Sequence, residues 1–166
     1  MMKSLFTAES IKLNITEFFE SANTSLKTMS LDKMMMAFGM LNINNNKVQA
    51  SIAGIPPLLL YKRKAKEVEE VKINGFPLGA MLQSNYKIYE SELQSGDTLL
   101  MFSDGMPELQ NEDGALFGYE RISKLFSRIA EQNPEMIIKI LKQECFEWLN
   151  GKNPDDDITF VVIKVK

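Results

Sequence analysis

Two short acidic stretches hold the residues best able to do chemistry in this chain. In "TLLMFSDGMPEL", residues 98–109, an apolar run stops at Asp104 and Gly105. In "NPDDDIT", residues 153–159, three successive aspartates precede a second apolar run. Taken singly, an Asp-Gly pair after a strand is a turn, and an acidic run before a strand is a solvated one. Taken together they admit another reading. Mg2+ and Mn2+ take oxygen ligands, commonly a few carboxylates with waters completing an octahedron. Like charges packed together raise the energy, and a divalent cation relieves it. The condition is geometric, because the last strand must lie beside the strand that ends at Asp104.

The rest of the composition narrows the alternatives. Histidine is absent from all 166 residues, which removes serine–histidine and cysteine–histidine catalysis and every histidine-ligated metal. Cys145 is the single cysteine, so neither an internal disulfide nor a cysteine zinc cluster can form. Its setting in "LKQECFEWL" predicts a buried helical thiol. Chemistry here must come from carboxylates, hydroxyls, lysines or a hard metal.

A net charge of -3 and a pI near 5.2 argue against a nucleic-acid partner, which needs a basic stripe. No apolar run approaches the roughly 18 residues of a membrane span. The start "MMKSLFTAES" lacks the long apolar segment and small-residue cleavage site of a signal peptide. The expected compartment is the cytoplasm.

The apolar pattern supplies elements to position the acids. Residues 8–29 read as a helix, with Ile11, Ile15, Phe18, Phe19, Ala22 and Leu26 at spacings of three and four. Met36, Phe38, Met40 and residues 41–43, then "NNNK" and "VQASIAG", read as a hairpin. Strands follow in "IPPLLLYKRK", "AKEVEEVKI", "YKIYESEL" and "TLLMFSD", the prolines sitting where a missing N–H is tolerated. "YERISKLFSRIAEQ" and "PEMIIKILKQECFEWLNG" are helices, the second opening at Pro134 and closing at Gly151. "DDDITFVVIKVK" is a final strand. Short turns between strands imply antiparallel pairing, and helices in blocks point to α+β layers in one domain over residues 1–166.

Gly54, Gly75 and Gly79 in "AGIPPLLLY" and "GFPLG" allow positive φ or close backbone approach. With no acid or base in either motif, they read as architecture. Met34, Met35 and Met36 read as core filler.

Four stretches in this order resemble the type 2C metal-dependent protein serine/threonine phosphatases, in the bacterial branch of the sporulation stage II phosphatase and the stress-response sigma-factor regulators. They are "AGIPPLLLY" (53–61), "GFPLGAM" (75–81), "LQSGDTLLMFSDGMPELQNEDGALFG" (93–118) and "DDITFVVIK" (156–164). Residues 1–30 match only as a generic helix with Asn23 near its end. The resemblance implies a sandwich of two antiparallel sheets flanked by helices, with strand-end aspartates holding two Mg2+ or Mn2+ ions. A water bridging those ions attacks the phosphorus of a phosphoserine or phosphothreonine in line, without a phosphoenzyme. It implies that Asp104 and Asp156 are metal ligands, that Asp157 orients the site, and that Gly105 and Glu108 shape the loop beside it.

Two departures temper the activity this implies. The family's first metal motif, an aspartate followed by a glycine-rich turn, precedes the first long helix, and no stretch of this chain matches it. Ile55 stands where that branch usually carries histidine. The chain therefore reads as the C-terminal portion of a phosphatase domain that is N-terminally incomplete. Alone it is expected to bind metal weakly, to have little or no activity, and to self-associate, as a homodimer, through an uncovered sheet edge. The partner implied is a phosphorylated regulatory protein such as an anti-sigma-factor antagonist. The alternative is a non-catalytic module that keeps the fold and binds a regulatory protein.

Overall fold

The structure, a computed structural model, describes residues 6–7, 13–29, 35–82 and 84–166. The expectations for residues 8–12, Ile11 included, and for Met34 lie outside the described residues. Helix α1 spans Ile15–Thr28, followed by strands β1 (Phe38–Asn44), β2 (Lys47–Ala53), β3 (Leu58–Lys62), β4 (Glu67–Val71), β5 (Tyr89–Glu92) and β6 (Thr98–Phe102). Helices α2 (Tyr119–Ile129) and α3 (Pro134–Leu149) precede strand β7 (Phe160–Lys164). Every ladder is antiparallel, so the α+β class expected from the pattern is the one observed.

Two compact units make up the chain, Met1–Ile55 with Ile73–Glu92, and Pro56–Lys72 with Leu93–Lys166. The first holds a sheet of order β1-β2-β5. Its helix α1 starts at a reciprocal cap, in which the Glu17 N–H donates to Asn14 Oδ1 and the Asn14 N–H to Glu17 Oε2, both at 3.0 Å. The helix buries Ile15, Phe18, Phe19, Ala22 and Leu26 in a cluster with Ala53, Leu78 and Tyr86. The β1–β2 hairpin turns on Asn45 and Asn46, both at positive φ, a conformation asparagine tolerates better than most residues. Gly75 is architectural as expected, since a Cβ there would sit 2.4 Å from the Ile52 carbonyl oxygen.

The strand expected over residues 86–93 shortens to Tyr89–Glu92. Only these four residues find ladder partners on β2, at Lys47–Ala50. Tyr86 instead turns into the core and donates its hydroxyl to Asn23 Oδ1 at 3.2 Å. Side-chain anchoring there replaces strand pairing.

The second unit holds a sheet of order β4-β3-β6-β7. Strand β6 is interior, which explains why Leu99, Leu100 and Phe102 are all buried and the sequence runs apolar without alternation. Helix α2 buries Ile122, Leu125, Phe126 and Ile129, and α3 buries Ile137, Leu141, Cys145 and Leu149, all in one cluster with Leu59, Tyr61, Leu100 and Phe102. At about 1.5–3 kcal/mol for each large side chain, this burial fixes β6 against the helices. Asn133 caps α3, accepting from the Met136 N–H at 2.8 Å, with Pro134 in the first turn.

Candidate metal corner at the end of strand β6

The register of β6 and β7 meets the geometric condition set by the two acidic stretches. Phe102 pairs with Phe160, so β6 ends where β7 begins. One residue on, the Ser103 N–H donates to the Thr159 carbonyl at 3.1 Å. The Ser103 hydroxyl donates to the Asp157 carbonyl and accepts from the Thr159 N–H, each at 3.0 Å. Ser103 thus stitches the exit of β6 to the acidic run.

Gly105 closes the corner. A Cβ built on it would lie 2.5 Å from the Asp157 carbonyl oxygen and 3.5 Å from that of Asp156. No side chain fits there without moving the acidic segment. The following turn is anchored from below, since Met106 and Leu109 are buried while Asp104 and Glu108 remain exposed. Its backbone closes through the Glu108 N–H to the Asp104 carbonyl at 3.1 Å, and Trp148 Nε1 donates to the Leu109 carbonyl at 3.0 Å.

Glu108, Gly105, Asp155 and Asp156 line one cleft of about 420 Å³. The Asp157 N–H donates to Asp156 Oδ1 at 2.7 Å, orienting that carboxylate from within its own turn. Asp157 and Asp156 also border a neighbouring groove against α3. Tyr119 is the first residue of α2. Burial pushes the Tyr119 phenol up, and the Glu108 and Asp104 carboxylates push it further.

The donors at this corner are carboxylate and carbonyl oxygens, which suit Mg2+ or Mn2+ and not a softer metal. Among the described residues, no group of three His, Cys, Asp or Glu side chains converges as a metal would require. The set fits partial ligation of one hard cation, with water or phosphate oxygens filling the remaining positions.

The residues that sequence reasoning missed are the ones that lock loops. Asn23 is buried, donates to the Met81 carbonyl at 2.9 Å, and accepts from the Gly79 N–H at 2.8 Å. A single amide in an amphipathic helix carries no pattern that reveals such a role. Asp97 is similar, hidden inside a stretch that reads simply as a turn.

Two antiparallel sheets with helices form the fold that this chain shares with solved protein phosphatase 2C domains. The SiaA-PP2C domain of Pseudomonas aeruginosa superposes with a TM-score of 0.85 at 19% identity, covering 99% of this chain and 65% of that one. A structure of the PP2C phosphatase domain and a regulatory fragment of SpoIIE from Bacillus subtilis gives 0.74 at 20% identity, covering 98% and 48%. The family model of stage II sporulation protein E matches residues 1–166, and the chain belongs to that family. The phosphoserine phosphatase RsbU of Bacillus subtilis is 25% identical over 135 residues, 79% of this chain and 38% of that protein. Protein IcfG of Synechocystis is 25% identical over 144 residues, 85% of this chain and 22% of that protein. The chain thus spans well under half the length of these curated relatives.

Proposed function

We propose that this chain is part of a metal-dependent protein serine/threonine phosphatase that hydrolyses phosphoserine or phosphothreonine on a regulatory protein. The observation that carries the reading is the β6–β7 register, which brings Asp104 and the Asp156–Asp157 turn to one corner. In this reading Asp104 and Asp156 hold Mn2+ or Mg2+, Asp157 and Gly105 fix the turn, and Glu108 borders the cleft. The cation would supply an activated water and a clamp on phosphoryl oxygens. The chain's own residues fix the backbone of the corner through Ser103 and orient the Asp156 carboxylate through the Asp157 N–H, so that less reorganisation is needed when phosphate arrives.

Family membership and the RsbU relative support a phosphorylated regulatory protein as substrate. The one-domain reading of residues 1–166 belongs to the same proposal, supported by a family match that runs through both units. So does self-association, supported by the place of β7 at an edge of its sheet with Val161 exposed. Among the described residues no helix is long and apolar enough to cross a membrane, and a cytoplasmic setting is proposed with the rest.

The test is hydrolysis of a serine-phosphorylated regulatory protein by the complete protein in Mn2+. Asp104→Asn and Asp156→Asn should each lower turnover by about a hundredfold or more. Unchanged turnover in either variant rejects the assignment. The small number of converging ligands favours a second reading, a non-catalytic module. Metal-independent capture of the phosphoprotein without turnover would establish that reading instead.

A further inference from the structure

Helix α2 carries a positive stripe that the metal corner does not use. Arg121, Lys124 and Arg128 are exposed along one cleft of about 800 Å³, with Phe117, Gly118, Glu120 and Ser127 completing its wall. Lys124 is engaged by Glu120, at 2.5 Å. The two arginines have no carboxylate partner among the described residues. They stand seven positions apart, hence on nearly the same face and about 10 Å apart along the axis. Three cations against one carboxylate is unusual local charge in a chain whose net charge is -3.

Arg121 is held in a particular way. Its guanidinium carbon lies 4.2 Å from the Trp148 ring centroid and 5.5 Å from that of Phe117. Those rings meet edge to face at 5.6 Å, and the Trp148 indole is tied to the Leu109 carbonyl. Stacking spends the flat face of the guanidinium and leaves its N–H edge free for an oxyanion. A fork oriented in advance loses less entropy when it binds a carboxylate.

We infer that the α2 stripe docks an acidic segment of the partner protein, with Arg121 and Arg128 as its two carboxylate-binding points. This rests on the phosphatase reading for the identity of the partner, though not for the docking itself. The stripe adjoins the turn that follows Asp104, because the Gly118 N–H donates to the Pro107 carbonyl at 2.9 Å and Trp148, on which Arg121 stacks, donates to the Leu109 carbonyl at 3.0 Å. Asp104 and Glu108 repel further negative charge next to them. The favoured partner segment therefore carries its acidic residues offset from the phosphorylated residue, along Arg121 to Arg128.

The experiment is fluorescence anisotropy of the 166-residue chain in EDTA, with a short labelled peptide alternating glutamate and serine. A glutamine-for-glutamate peptide and a single-stranded oligothymidylate serve as the other probes. Preferential binding of the glutamate peptide is expected, weakened about tenfold in Arg121→Ala/Arg128→Ala and several-fold in Arg128→Ala alone. Arg128 makes none of the ring contacts of Arg121, so its variant keeps the test sound should loss of Arg121 disturb folding. Lys139→Ala/Lys142→Ala, which removes equal charge from α3, should change affinity less than about twofold. Equal binding of the glutamine peptide, equal weakening by the α3 variant, or tighter binding of the oligothymidylate would overturn the inference. Asp104→Asn should bind the glutamate peptide as the parent does. Unchanged hydrolysis by Asp104→Asn in the complete protein would therefore sink the phosphatase reading while leaving the docking result standing.

Discussion

Strand β6 carries an aspartate near each end, and the two are treated in opposite ways. Asp97, just before the strand, is 1% exposed. Its Oδ1 accepts from the Arg63 N–H and its Oδ2 from the Gln94 N–H, both at 2.9 Å, with Lys62 Nζ 3.8 Å away. Asp104, two residues past the strand, is exposed, and no hydrogen bond or ion pair to its carboxylate is present among the described residues. A buried carboxylate must be saturated by the protein, and Asp97 is. An exposed one held at a fixed strand end retains its lone pairs for something else. Sequence type alone does not separate the two, because each precedes or follows the same apolar run beside a glycine.

That contrast can be broken or sharpened by mutation. The largest effect is expected at Asp97→Ala, which strands two backbone N–H groups and should cost about 2–4 kcal/mol in urea unfolding. Gly105→Ala should cost about 1–3 kcal/mol, since the new methyl meets the Asp157 carbonyl. It should also displace the acidic turn, visible as shifted amide resonances at Asp156 and Asp157. Asp104→Asn should change stability by less than about 0.5 kcal/mol by the same unfolding measurement. A cost at Asp104 as large as that at Asp97 would mean that Asp104 too is a structural residue.

A last, smaller prediction concerns a group that is neither saturated nor available. Burial, with help from Glu144, pushes the Cys145 thiol up to about 11. In the unfolded chain it titrates near 9.0, so the folded state keeps its proton longer. The contribution to stability is present below pH 9 and is lost as pH rises toward 11. Iodoacetamide should accordingly alkylate native Cys145 far more slowly than the urea-unfolded chain at pH 8, read by mass spectrometry.

Much of the architecture was legible because it follows from period and punctuation. The alternating or continuous apolar runs located β1 to β7, the spacing of Ile122, Leu125, Phe126 and Ile129 located α2, and Pro134 marked the start of α3. The acids of the corner were legible as types at strand ends. Their meeting was implied by the family resemblance but not by the residues themselves, because it depends on β7 pairing with β6 across nearly 60 residues of intervening chain. The shortened β5 was misjudged for a related reason. Tyr86 belongs to an alternating pattern, but a buried amide at Asn23 claims its hydroxyl and draws it out of the sheet. Long-range polar contacts of this kind leave no local trace.

The most direct test of the central claim is Mn2+-induced line broadening in the amide spectrum of this chain and of its Asp104→Asn variant. Broadening should centre on Gly105, Asp156 and Asp157 at the lowest Mn2+ added and largely vanish in the variant. Broadening centred on another acidic surface, such as Glu67–Glu70 of β4, or undiminished by the substitution, would contradict a metal site at the end of β6.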